Sequence, residues 1–488
     1  MGGLRPAPQM RPVELVDDDD LSGTGGDLAR DDADNLPGAG AADGAGARGG
    51  GWRRRRWVVI SVVVVVGAAA VATGVTERAA REQADAFAAL PGVVRPLEQV
   101  PVERWRADAD GPTPVLGAGG GIVTVAGAQG SWTVRSWDPA TGALRWEVPV
   151  VDEPGSGFES VAVACSATVD PSALLLCSWT EPGVVYGGSG ESTPYVPPTQ
   201  FLALDPDGGE QRGAWELEGN LLGLVRAEGD VVVATGLRDR HVLVERRDGT
   251  DGTVRWSWTS PIPLVDSGGV RAAPQLVGDD RVVGLVAMTT TLLDAGTGAV
   301  LEAGPPGRQI LVTGLPDGGF ATWESGYGGT LRDADGEMRA RVPGLPLAVV
   351  GDASVDDLLM DVGNRVVAVR PQDGVVTWRL PSSMSPVAMA YGVVVMAGEG
   401  SVGAVDGADG RLLWEEELVA EQRIPPATDG LHVLTAEPDG EGRRHLVARG
   451  LRDGVEAWRL GVPSDVLLLT GIGGRLVVVT DDVVIVLA

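Results

Sequence analysis

The chain has 488 residues, 44% of them hydrophobic, and is strongly acidic: 67 Asp plus Glu stand against 39 Lys plus Arg, a formal net charge of −28. This length allows a large buried core, and the charge argues against a nucleic-acid partner, whose phosphates would be repelled. All the basic residues are arginine, so lysine Schiff-base chemistry is excluded.

Residues 1–52 are rich in Gly, Ala, Pro and Asp, with the acidic run Asp17 to Asp20 and very few large apolar side chains. A disordered tail is expected there, since so little apolar surface cannot offset the entropy of ordering. The run reads as solvated charge rather than a cation site. Residues 53–76 follow as a basic flank, Arg53 to Arg56, and an uncharged stretch from Trp57 to Val75, long enough for one transmembrane helix. Arginines on the N-terminal flank favour a cytoplasmic tail, with the rest of the chain outside. A cleaved signal peptide is the alternative, with Ala70-Val71-Ala72 as the cleavage site, but so long a leader argues for an uncleaved anchor. Residues 77–100 read as a stalk and linker, with Glu77 to Leu90 as a short helix.

From residue 101 to 488 the sequence is repetitive. Five times a glycine is followed four residues later by a tryptophan, each time just after a strand-like apolar run: Gly142/Trp146, Gly252/Trp256, Gly374/Trp378, Gly410/Trp414 and Gly454/Trp458. Asp138, Asp248 and Asp406 stand four residues before their glycines. Each unit reads as a hairpin in which glycine supplies the positive φ of a tight turn and aspartate bonds the turn's exposed amides. The tryptophan then anchors the outer strand, its ring covering the neighbouring unit and its N–H reaching a backbone carbonyl. Weaker copies run from Phe201 to Leu217, Thr291 to Gly304 and Thr330 to Val342. In the last two, Glu302 and Ala340 take the tryptophan position, which predicts looser docking.

The pattern Ala-x-Asp-x-x-Thr-Gly-x-x-x-Trp resembles the docking motif of the PQQ-like, quinoprotein-type β-propellers, over roughly Val102 to Ala488. The resemblance implies an all-β fold of about eight four-stranded blades. WD40 propellers, the nearest rival, are set aside because their Gly-His signature is missing and the chain has three histidines. Trp105 reads as an outer strand without its own hairpin, and the last residues supply three strands without an outer one, so the two ends are expected to close the ring and remove its free edges. Counted literally, eight turns and a closing blade make nine; eight is expected, with one unit taken as degenerate.

Cys165 and Cys177 flank the turn signal Asp170-Pro171-Ser172, so a hairpin there would set them opposite each other. A disulfide is expected, with two buried thiols as the alternative. Among quinoprotein dehydrogenases the resemblance would call for a quinone and a calcium held by Glu, Asn and Asp, beside adjacent cysteines. The chain departs from this, with its cysteines apart and only Asn35, Asn220 and Asn364 as asparagines. No cofactor and no metal are expected. His241, His432 and His445 form no ligand pair, and no catalytic triad can be assembled. The glycines of Gly117 to Gly127 precede a strand rather than a helix, so they mark a turn and not a phosphate loop.

Absence of lysine and richness in Ala, Gly and Val suggest a GC-rich bacterial genome, such as that of an actinobacterium. The segment Glu181 to Gln200 lengthens one unit and offers Tyr186 and Tyr195 as candidate interaction residues. Together these readings point to a non-enzymatic scaffold at the cell envelope, tethered in the membrane and binding proteins or ligands. A ligand sensor acting through the tail and a quinoprotein dehydrogenase are the alternatives.

Overall fold

The computed structural model describes residues 86–488, apart from 91, 109–113, 128–130, 152–161, 168–172, 181–183, 187–191, 195, 265–273, 306 and 420–423. The expected tail and transmembrane segment lie outside the described residues. Among the described residues no helix is long and apolar enough to cross a membrane.

Nine antiparallel blades, built in sequence order, make up the domain. Blades 1 to 5 cover 115–151, 164–217, 220–259, 275–303 and 310–342; blades 6 to 8 cover 346–381, 385–417 and 427–462. Blade 9 takes three strands from 468–487, and its outer strand, Glu103–Asp108, comes from the other end of the domain and pairs with Val483–Leu487. The closure expected from Trp105 and the C-terminal strands is therefore present.

The middle strands of the blades are the most buried, as in Asp230–Gly236, Val393–Gly398 and Val483–Leu487. A sheet sandwiched between two others is buried on both faces, so its middle strands read as unbroken Val, Leu and Ala runs rather than alternating ones. Outer strands alternate, as in Glu456–Val462, because one face meets solvent. Nine clusters of buried side chains fill the nine seams between successive blades, including the seam between blades 9 and 1 around Trp105 and Ile122.

The expectation of about eight blades is thus corrected to nine. No unit is missing, although blade 6 is irregular. Its innermost strand shrinks to a bridge between Pro346 and Met360, while its other three strands pair in full. The chain then leaves that position, and Val350–Gly351 adds a parallel strand to the inner edge of blade 7.

Part of the expected stalk and linker is packed on the ring. After one helical turn at residues 86–88, Val93 bridges Thr428 of blade 8 and Val94 bridges Gly474 of blade 9. Phe87, Val93, Val94 and Leu97 are buried in the seams on either side of blade 8. This strap and strand Val350–Gly351 lie along the inner edges of blades 7 to 9.

Candidate functional site

The repeated motif forms a belt that fastens each blade to the next. In blade 1, Asp138 Oδ1 accepts the N–H groups of Ala140 and Thr141 at 3.0 and 2.8 Å and the Thr141 hydroxyl at 2.8 Å. Gly142, at φ +70°, donates its N–H to the Asp138 carbonyl at 2.9 Å. A Cβ on Gly142 would fall 2.5 Å from the Trp105 ring, so the absence of a side chain is what lets the preceding blade's indole lie on the turn.

The same contact recurs around the ring. Trp146 lies on Gly209, Trp215 on Gly252, Trp256 on Gly298, Trp378 on Gly410 and Trp414 on Gly454. Each indole N–H donates to the carbonyl just after the motif's first position in the next blade: Trp105 to Pro139 (3.2 Å), Trp146 to Pro206 (3.1 Å), Trp215 to Gly249 (3.2 Å), Trp256 to Ala295 (3.0 Å), Trp378 to Gly407 (2.9 Å) and Trp414 to Leu451 (3.0 Å). The sequence reading named Asp138, Asp248 and Asp406 for the turns. Asp205 and Asp294 do the same work, and their spacing to Gly209 and Gly298 was available to find them.

Blade 9 has no such turn to receive Trp458, and the strap takes its place. Trp458 Nε1 donates to the Leu97 carbonyl at 3.4 Å, and the Leu97 N–H donates to Asp429 Oδ2 at 2.8 Å. The buried Asp429 carboxylate also accepts the N–H groups of Leu431 and His432 and lies 3.0 Å from His432 Nδ1. Sequence reading missed this arrangement.

At two seams the tryptophan is replaced. Ala340 packs directly on Gly374 between blades 5 and 6. Between blades 4 and 5, Glu302 instead faces Arg332, with Arg332 Nη2 2.9 Å from Glu302 Oε2. That seam holds the smallest apolar cluster, Val282, Leu292 and Phe320.

Cys165 and Cys177 are direct partners on adjacent strands of blade 2 and are joined in a disulfide. Replacing both with alanine should lower stability by about 2–3 kcal/mol, the range for cross-linking a short loop, as read by urea unfolding. In the 181–200 insertion, Val184–Tyr186 and Ser192–Pro194 form a separate two-stranded sheet. Tyr195 and the side chain of Tyr186 lie outside the described residues.

The turn carboxylates give the belt an acid limit. The Thr141 hydroxyl and then its N–H hold the Asp138 carboxyl below the usual range, and Arg212 followed by the Gly208 and Asp207 amides does so for Asp205. A lowered folded pKa stabilises the protein above the ordinary carboxylate value, and that contribution is lost as pH falls through the folded value. Melting temperature should therefore be flat above about pH 5 and fall below about pH 4. Asp138→Asn should weaken that acid dependence in a melting series; an unchanged acid limb would remove Asp138 from this role.

A quinone with calcium finds no matching donor set among the described residues. No three His, Cys, Asp or Glu converge there. The cysteines are bonded across two strands of blade 2 rather than adjacent in sequence. Asn220 opens the first strand of blade 3, and Asn364 stands just before strand Arg365–Val369 of blade 6.

Residues 398–488 match the family model described as outer membrane protein assembly factor BamB. They contain two of the Gly-Trp units, Gly410/Trp414 and Gly454/Trp458, whose indoles bond the next blade and the strap respectively. These residues therefore carry a repeat of the PQQ-like kind. Among solved structures, the propeller is similar to BamB from Moraxella catarrhalis, at 18% identity and TM-score 0.44, over 80% of this chain and 99% of that one. It is also similar to a europium-containing methanol dehydrogenase (11% identity, TM-score 0.39, 80% and 92% covered). A third is a quinohemoprotein alcohol dehydrogenase from Comamonas testosteroni (13% identity, TM-score 0.39, 79% and 76% covered). No curated protein matches the chain in sequence.

Proposed function

We propose that this PQQ-like propeller is a single-pass membrane protein whose ring stands outside the cytoplasm and acts as a non-enzymatic scaffold for envelope proteins or ligands. The observation that carries the reading is the use made of the motif. Its tryptophans, aspartates and glycines bond neighbouring blades, so the repeat builds a rigid ring and leaves the loops of the two faces for recognition. The match of residues 398–488 to a model described as an assembly factor supports the same reading. The uncharged stretch Trp57 to Val75 behind four arginines supports the anchor and its orientation.

Crosslinking the full chain in native membranes tests this. A scaffold gives stable, stoichiometric envelope partners, and alkali extraction leaves the chain in the membrane fraction. A quinone adduct in native mass spectrometry, with calcium-dependent dye reduction, would replace the scaffold by a dehydrogenase.

A further inference from the structure

The seam between blades 4 and 5, where the tryptophan belt is interrupted, holds a half-open cavity of about 200 Å³ with polar and apolar walls in about equal measure. Its walls include Glu302 from blade 4 and Thr322, Glu324, Thr330 and Arg332 from blade 5, with Tyr327 at the mouth. Above Gly336, the turn glycine of blade 5, a Cβ would meet only Leu301 at 4.0 Å, whereas blades 1 to 4, 7 and 8 hold an indole there and blade 6 holds Ala340.

Three buried polar atoms on these walls have no hydrogen-bond partner among the described residues: Glu302 Oε2, Glu324 Oε1 and Arg332 Nε. Arginines compensate both charges, with Arg332 Nη2 2.9 Å from Glu302 and Arg308 Nη1 3.1 Å from Glu324, but without the direction of a hydrogen bond. Buried polar atoms left this way are costly, so the seam is built for something that supplies partners.

We propose that this cavity is a binding site for one neutral polyhydroxylated ring, the size of a monosaccharide. Hydroxyl groups suit the wall because each can donate to Glu302 or Glu324 and accept from Arg332 Nε. A neutral ligand fits because each carboxylate already faces a guanidinium, so no net charge calls for an ammonium or a metal ion. Arg341 reaches the rim, where water screens its charge. The volume lies below the roughly 300–1,000 Å³ of sites for drug-sized molecules and suits about one ring. Tyr327 is exposed at the entrance and held by Arg308, whose Nη2 donates to the Tyr327 hydroxyl at 2.6 Å while its guanidinium lies 3.7 Å from the ring centroid. Arg308 thus covers one face of the Tyr327 ring, and the exposed remainder gives an entering sugar an aromatic surface. This inference does not depend on the scaffold reading.

Saturation-transfer NMR on the full chain tests it, with D-glucose, D-galactose, N-acetyl-D-glucosamine, myo-inositol and glycine as probes. Saturation is expected to reach ring protons of at least one polyol and not glycine. Glu302→Trp, which supplies the ring other seams carry, should fill the cavity and abolish the signal while the protein melts no earlier than wild type. Glu324→Gln, which keeps the shape, should weaken binding by about tenfold. Transfer to no polyol would mean a cavity holding water only. Undiminished transfer to both variants would place the sugar elsewhere, and transfer to glycine alone would mean a charged ligand. Any of these three results overturns the proposal.

Discussion

A chain that begins at Pro114 should fail to close its ring, whereas one that begins at Ala86 should melt like the whole protein. The shorter form loses strand Glu103–Asp108 and leaves Val483–Leu487 as an unpaired, fully apolar edge. It also loses Trp105, whose indole covers Gly142 and bonds Pro139. Removing one buried tryptophan costs about 3–5 kcal/mol, and an exposed strand edge invites pairing with another copy. Thermal melts and sedimentation should show a large drop in midpoint together with association. A form starting at Val102 keeps the closing strand but lacks the strap, so it should fall between the two. Equal melting of all three would mean that closure contributes little to the fold.

Trp146→Ala should destabilise the protein by about 3–5 kcal/mol in urea unfolding, through lost burial and the cavity left on Gly209. Trp146→Phe should recover most of this, leaving a deficit of about 1 kcal/mol for the lost bond to Pro206. The size of the alanine effect follows from position, because Trp146 is buried between blades 1 and 2 with Leu175 and Leu204. A loss below about 1 kcal/mol would mean that the belt follows from the fold rather than holding it.

The belt could be read from the sequence because its parts are local: an aspartate, a glycine and a tryptophan within nine residues, repeated. Closure was also legible, since Trp105 and the C-terminal strands were each incomplete alone. The blade number was harder to read. Nothing local separates a degenerate unit from a real one, and blade 6 keeps three paired strands while its fourth shrinks to the Pro346 bridge. The strap was illegible for a different reason. Val93 and Val94 carry no period, and their partners Thr428 and Gly474 lie at the far end of the sequence. The polar seam was half visible: Glu302 was recognised as a missing tryptophan, but its pairing with Arg332 depends on how two blades meet.

The strap also sets where force enters the ring. A pull on the chain ahead of Ala86 is borne first by the Gly92 amide on Gly471, then by the Val94 amide on Thr428, the Arg95 amide on Gly474 and the Leu97 amide on Asp429. Only when these have given way does tension reach the strand that closes blade 9. The ring is thus fitted with a strain relief, and its closing strand is shielded from movements of whatever precedes it.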